Sequence, residues 1–416
     1  MNRRSAVGTL ALALLLEVSA CGPWRSEPAP SEPAPTGATH VPGKGLEGDL
    51  ADVRSFHATR PPYETPFDAG VVVPKGLTTL SAKECGACHI AIYEEWKVST
   101  HAAAWTDRQY RAEIDKSGNR WLCLNCHTPL LVQQDFWPIG LDGDDVERPR
   151  LVDNPVFDSA LREEGITCAA CHVVDGVIHG PGVAVDAPHA VQADANFTSE
   201  GLCVRCHQAA VTYPGKTFAC SFGTGEEWAA SPYPAEGKDC RTCHMPRTER
   251  PVMAGGVVRT VGSHWWRGAG IPKEPGGGPP IEANPPGLAL DARWDASGVV
   301  VIGTNANAGH RLPTGDPERF ILVEVHFKDA AGAAVGEPFS ERIGQKWEWW
   351  PVAKKLDDNR LAPRESRTWT VPPPAGAVSA VIEASSHRMT DETAAFHHLD
   401  DYPRALVTHA VTVQAP

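Results

Sequence analysis

The sequence predicts a mixed fold, in which a mainly α first part of short helices and loops is followed by an all-β sandwich of the Ig-like kind. Three observations predict it. The pentapeptide C-x-x-C-H occurs five times within residues 81–271, among short helical segments separated by Gly- and Pro-containing loops. Residues 272–287 are rich in Pro and Gly, which indicates a linker. From residue 288 to residue 416 the apolar period changes to two, which is typical of strands.

The first 21 residues predict an export signal. A basic start precedes an apolar run from Ala6 to Leu16 that is too short to span a membrane. The stretch VSAC at its end resembles the lipobox of bacterial lipoproteins, so residues 1–20 are the predicted signal peptide and Cys21 the predicted lipidation site. An ordinary cleaved secretory signal is the alternative. Gly22 stands where an inner-membrane retention signal often has Asp, which favours an outer-membrane lipoprotein that faces the periplasm or the cell surface.

Residues 21–80 are predicted to be a lipid-anchored tether. The stretch SEPAPSEPAPTGA repeats a Pro-rich unit, and the segment shows no helical or strand period. The formal net charge of the chain is -13, which argues against nucleic acid as a partner. The predicted contact with a membrane is therefore made through the lipid anchor.

Within residues 288–416, five runs have the composition of strands: VVVIGTN, RFILVEVHF, SRTWTV, AVSAVIEAS and ALVTHAVTV. In the second run, Ile321, Val323, Val325 and Phe327 alternate with polar residues and should face the core.

The five C-x-x-C-H motifs are the most specific chemical signal of the chain. They comprise Cys85, Cys88 and His89; Cys123, Cys126 and His127; Cys168, Cys171 and His172; Cys203, Cys206 and His207; and Cys240, Cys243 and His244. Two thiols at this spacing can each add to one vinyl group of a haem, and the next residue then faces the iron. A redox dithiol needs no His after it, and zinc sites use C-x-x-C units in pairs, so five units fit zinc badly. The motifs therefore predict five covalently bound haem c groups.

The second axial ligand of each iron decides the function. A second His favours electron transfer, whereas an open position can bind a substrate. The candidate iron ligands outside the motifs are His101, His189, His264, His310 and His179. Of His179 and His189, which both lie between the third and fourth motifs, His189 is the favoured ligand.

The chain also contains an internal repeat, because EEWKVSTH ending at His101 matches EEWAASPY ending at Tyr233. If the first copy provides an iron ligand, the second either leaves an iron differently ligated or has become structural. Coincidence is the alternative. Of the 12 cysteines, Cys220 is left over, as a buried thiol or as a sulfur ligand near a haem.

The segment SAKECGACHIAIYEEWKVSTHAAAW, together with CRTCHMP and SHWW, resembles the multihaem c-type cytochromes related to the tetrahaem electron acceptor of hydroxylamine oxidoreductase. The resemblance covers residues 81–266. It implies short helices around closely stacked haems, mostly with two His ligands, and electron transfer as the activity. Five motifs instead of four, Cys220 and Tyr233 depart from the pattern. The pentahaem nitrite reductases are a weaker comparison, since their active haem has Lys in place of the motif His.

Three functions are open. The first hypothesis is an electron-transfer cytochrome that serves redox partner proteins, which the sequence favours over an enzyme. The second hypothesis is an oxidoreductase in which one open haem acts on hydroxylamine, nitrite or a polysulfur anion. In the third, the β part docks a larger assembly, with Trp347, Trp349 and Trp350 as the feature to test.

Overall fold

The computed structural model describes residues 37–67, 71–114, 120–184, 187–213, 219–273 and 285–416. The predicted signal peptide, Cys21 and most of the predicted linker lie outside these ranges. In the described part of the chain, the helices are α1 (Leu46–His57), α2 (Ala82–Gly86), α3 (Ile90–Trp96), α4 (Arg108–Ile114), α5 (Arg120–His127), α6 (Ser159–Arg162), α7 (Cys168–His172), α8 (Gly201–His207), α9 (Thr224–Ala229), α10 (Cys240–His244) and α11 (Asp391–Phe396).

The strands fall into two groups. Those before residue 270 are short: β1 (Thr39–His40), β2 (Phe136–Leu141), β3 (Pro149–Asp153), β4 (Val173–Val174), β5 (Val177–Gly180), β6 (Val191–Ala193), β7 (Ala209–Thr212), β8 (Ala219–Phe222), β9 (Arg247–Pro251) and β10 (Val258–Gly262). Those after residue 285 are mostly longer: β11 (Leu288–Asp295), β12 (Gly298–Asn305), β13 (Phe320–Lys328), β14 (Phe339–Glu348), β15 (Lys354–Asp358), β16 (Ser366–Val371), β17 (Ser379–His387) and β18 (Ala405–Gln414).

Helices carry the cysteine motifs. Four of them, α5, α7, α8 and α10, end at the motif His, and the first motif runs from α2 to the residue before α3. Local capping starts two of these helices: the Asp239 side chain accepts hydrogen bonds from the first turn of α10, and Ser81 caps α2. Because isolated helices of this length are not stable in water, tertiary contacts must hold the motifs in place.

The predicted tether is wrong for the residues from 39 onward. Strand β1 pairs in parallel with β3, and α1 packs on the β2–β3 pair. Leu50 and Val53 of α1 are buried with Trp137 and Val152. The physical reason is that LEGDLADV places apolar residues three and four positions apart, on one helical face, within a segment whose overall composition is that of a linker.

The β part consists of two antiparallel sheets that share one apolar core. One sheet has the order β11-β12-β16, and the other has the order β15-β14-β13-β17-β18. Buried residues from both sheets form a single cluster. The alternation expected for β13 is present, with Ile321, Val323, Val325 and Phe327 all buried. Three strands were not expected from the sequence, namely β11, β14 and β15, since charged residues interrupt their apolar pattern.

The β part packs directly on the first part around α4. Met389, Leu399 and Tyr402 form an apolar cluster that Ala112 of α4 joins. The Tyr402 hydroxyl donates a hydrogen bond of 2.5 Å to Asp107, which also pairs with Lys273. Both parts belong to one structural unit. No helix in the described ranges has the length and apolar character that crossing a membrane requires.

The pH dependence of stability tests the burial of His57 in α1. Its side chain is 5% exposed, beside Phe56 and Trp121, and burial lowers the pKa of His57 to about 4. In the unfolded chain the pKa of a histidine is about 6.5. Between these values the unfolded state binds the proton more readily, so the contribution of His57 to stability is lost as the pH falls from about 6.5 to about 4.

We expect the free energy of unfolding, measured with denaturant, to decrease as the pH is lowered over this range. In His57→Leu this decrease should be smaller by about 2 to 3 kcal/mol. His326→Gln, which changes a partly exposed histidine of β13, is the control and should keep the wild-type slope. Equal slopes for wild type and His57→Leu would show that the buried imidazole does not cause the acid sensitivity.

Candidate haem sites

Four of the five motif imidazoles are held by backbone carbonyl oxygens. The Nδ1 atoms donate hydrogen bonds of 2.7 to 2.9 Å, from His89 to Val252, from His127 to Ala104, from His172 to His179 and from His244 to Arg267. A carbonyl oxygen can only accept, so Nδ1 of each of these rings carries the proton. The lone pair is therefore on Nε2, which is the tautomer that a metal-binding histidine needs.

Four of the five motif imidazoles face a second imidazole. The ring centroids are 6.2 Å apart for His89 and His189, 6.3 Å for His207 and His101, 6.4 Å for His172 and His264, and 6.3 Å for His244 and His310. Metal–imidazole bonds are about 2 Å long, and the nitrogen lies roughly 1 Å from the ring centroid, so two imidazoles on opposite sides of one ion have centroids roughly 6 Å apart. The spacing fits one iron between the rings of each pair.

The second imidazole of each pair comes from a segment far along the chain. His101 follows α3 and faces the ring at the end of α8, while His264 follows β10 and faces the ring at the end of α7. His310 lies in the loop between β12 and β13, so the fifth site is completed by the β part. The structure thus places His101, His189, His264 and His310 each opposite a motif histidine.

His179, the remaining candidate ligand, has a different position: within the described ranges its ring faces no motif imidazole at the spacing of the four pairs. Its ring bonds Asp194 at 3.2 Å, and its carbonyl oxygen accepts the Nδ1 hydrogen of His172. This places His179 on the side of His172 that faces away from Nε2, while His264 occupies the opposite side. His179 therefore orients the His172 ring through its backbone carbonyl oxygen.

The second motif is built differently. The His127 ring stacks on Tyr110, with centroids 3.7 Å apart and planes at 4°. Within the described ranges, no other histidine ring lies opposite His127 at the spacing of the four pairs. Sequence reasoning did not single out Tyr110, since a lone tyrosine on a short helix carries no signal of its own.

The imidazoles are kept neutral by their surroundings. Burial lowers the pKa of His101 and of His264 to about 3, and that of His127 to about 4. Neighbouring histidines act in the same direction on His101 and His264. A neutral imidazole is the form that binds iron, so these rings are prepared for a metal at neutral pH.

Motif cysteines from different helices lie close together. The thiols of three pairs are within hydrogen-bond reach, namely Cys85 with Cys168, Cys126 with Cys206, and Cys203 with Cys240. Cys171 also interacts electrostatically with Cys206. The ten motif cysteines form no disulfides. The attachment helices are therefore neighbours in the order first, third, fourth and fifth, with the second beside the fourth.

Three other features that the sequence singled out are Cys220, Tyr233 and the tryptophans of the β part. The side chain of Cys220 lies outside the described part of the structure. Tyr233 is buried against Lys238 and Arg364. Trp347 and Trp349 stack on each other with centroids 5.1 Å apart, and Trp350 is 78% exposed on the β part.

Comparisons with known proteins agree with this geometry. A family described as cytochrome c554 and c-prime matches residues 84–142. The crystal structure of a penta-heme cytochrome c552 from Thermochromatium tepidum is similar over 82% of this chain and 99% of that chain, with a TM-score of 0.56 and 16% sequence identity. No curated protein matches in sequence. These findings support a multihaem c-type cytochrome, and they support haem c as the covalently bound cofactor.

The facing pairs can be tested by replacing two nearby histidines. We expect His189→Gln in the haem-loaded protein to convert one haem to the high-spin state, because His189 lies opposite His89. His179→Gln is the matched control and should leave the number of high-spin haems unchanged. Electron paramagnetic resonance of the oxidised protein measures both. A new high-spin signal in His179→Gln alone would reverse the assignment.

Proposed function

We propose that this chain binds five haem c groups and transfers electrons between redox partner proteins at the cell envelope. The observation that carries the proposal is the set of four imidazole pairs at 6.2 to 6.4 Å. When bound, haem c supplies an iron that takes up and releases single electrons. An iron held between two of these histidines would offer no position to a substrate.

The cysteine contacts support a continuous path. Cys85 and Cys168 bring the first and third attachment helices together, and Cys203 and Cys240 do the same for the fourth and fifth. Cys206 of the fourth motif packs on the apolar cluster that contains Ala169 and Ala170 of the third attachment helix. Neighbouring attachment points would bring the haems that they hold near one another, which favours electron transfer from site to site along the chain.

The proposal includes finer features that come from the sequence. A signal peptide of residues 1–20, lipidation at Cys21 and an outer-membrane location fit a cytochrome that serves envelope partners. The resemblance to relatives of the acceptor of hydroxylamine oxidoreductase favours the same role. Two antiparallel sheets around one core support an Ig-like sandwich for residues 288–416.

A second candidate function rests on the second motif. Because His127 stacks on Tyr110 and faces no second histidine among the described residues, the iron held there would keep one position for an exogenous ligand. The contact of Cys126 with Cys206 places the second attachment helix beside the fourth, so a haem held at the fourth motif would be the neighbouring source of electrons. This arrangement fits an oxidoreductase for a small nitrogen or sulfur compound such as hydroxylamine, nitrite or a polysulfur anion.

Carbon monoxide separates the two functions. We expect the reduced, fully haem-loaded protein to bind about one equivalent of carbon monoxide per chain, measured from the Soret band against the haem content from a pyridine haemochrome assay. Uptake of several equivalents would contradict the four imidazole pairs. No uptake at all would remove the second candidate function and leave electron transfer alone.

A further inference from the structure

The repeat EEW is present in the structure as two equivalent units. The indole Nε1 of Trp96 donates to the carbonyl oxygen of Ile166 at 2.8 Å, and that of Trp228 donates to the carbonyl oxygen of Lys238 at 3.0 Å. Both carbonyls belong to the residue two positions before a motif, since α7 begins at Cys168 and α10 begins at Cys240. Each tryptophan therefore anchors the start of one attachment helix.

The glutamate before the first tryptophan holds the segment that contains His264. Glu95 accepts two hydrogen bonds from the Arg250 guanidinium, at 2.5 and 2.7 Å. It also accepts the backbone N–H of His264 at 2.8 Å. His264 is the ring opposite His172, and Trp96 anchors the helix that ends at His172.

The equivalent glutamate of the second unit holds the loop that contains His310. Glu227 accepts a hydrogen bond from the Thr314 hydroxyl at 2.6 Å and one from Arg360 at 2.6 Å. Arg360 also donates to the carbonyl oxygen of Pro313 in the same loop at 3.3 Å. His310 is the ring opposite His244, at the end of the helix that Trp228 anchors.

The last residue of each copy differs, and the structure accounts for the difference. His101 of the first copy faces His207. Tyr233 of the second copy instead packs with Trp228 against Gly309, where a Cβ atom would lie 3.5 Å from the Tyr233 ring and 3.6 Å from the Trp228 ring. Gly309 directly precedes His310. The second copy thus supports the loop of a ligand and does not provide one.

We propose that Glu95 and Glu227 are positioning residues. Each glutamate holds the segment of the second histidine ligand at one haem site, and the tryptophan next to it anchors the attachment helix of the same site. The inference rests on the proposed function, because it takes His264 and His310 as ligands. Both carboxylates are 11% exposed and each pairs with a buried or largely buried arginine. Removing the Glu95 carboxylate leaves the Arg250 guanidinium without this charged partner, which favours rearrangement of the segment that contains His264. Arg360 also pairs with Asp358, so removing the Glu227 carboxylate instead breaks the link between Arg360 and the Thr314 hydroxyl in the loop that contains His310.

The test compares Glu95→Gln and Glu227→Gln with Glu94→Gln and Glu226→Gln. The controls change the preceding glutamate of each unit, which is exposed in both. We expect each test variant to increase carbon monoxide uptake by up to one equivalent per chain over wild type, with a matching rise in high-spin signal and a changed midpoint potential at one haem. The controls should keep the wild-type values.

Double variants identify the haem that is affected. Glu227→Gln added to His310→Gln should produce no further uptake of carbon monoxide, whereas Glu95→Gln added to His310→Gln should produce the same increase as Glu95→Gln alone. Thr314→Val, which removes one donor to Glu227, provides a milder variant and should shift the potential of the same single haem as Glu227→Gln.

Unchanged uptake and potentials in Glu95→Gln, Glu227→Gln and Thr314→Val, at wild-type haem content, would overturn the positioning role. Failure of the proposed function would show differently. In that case His264→Gln and His310→Gln would leave the haem spectra unchanged, or wild type itself would take up several equivalents.

Discussion

The facing of imidazole rings in four pairs is the constraint on which the first part of this protein depends. The attachment helices are between five and eight residues long, too short to persist alone. Each facing pair joins segments separated by many residues, such as His101 with His207 and His172 with His264. The apolar clusters of this part are small compared with the single large cluster of the β part. Haem surfaces would supply much of the missing buried apolar area.

The β part contributes to the cofactor sites as well as to stability. Its loop between β12 and β13 places His310 opposite His244, and the contacts of Tyr402 with Asp107 fix the segment that leads into α4. The carbonyl of Ala104, three residues before Asp107, accepts the Nδ1 hydrogen of His127. The positions of His310 and His127 at two haem sites therefore depend on how the β part packs on the first part.

The two EEW units show that one local arrangement of side chains can occur at two different haem sites. In both, a tryptophan bonds the backbone ahead of an attachment helix and a glutamate bonds the segment of the facing histidine. The partner segment of the first unit belongs to the first part, whereas that of the second belongs to the β part. The same side-chain contacts are thus made within the first part of the fold by one unit, and between the first part and the β part by the other.

The sequence by itself determined the attachment chemistry, because two thiols and an adjacent histidine act over one helical turn and need no distant contact. It also predicted the buried face of β13, since alternation is a local property of a strand. Which histidine faces which motif could not be predicted from order along the chain. His101 follows the first motif directly, yet its ring faces His207 of the fourth motif. The sequence favours His189 over His179 as a ligand, and the tertiary structure shows how the two differ: His179 presents its backbone carbonyl to His172, whereas the ring of His189 faces His89. The fold of residues 39–67 was likewise decided by packing, since α1 gains its stability from Trp137 and Val152, which lie more than 80 residues further along the chain.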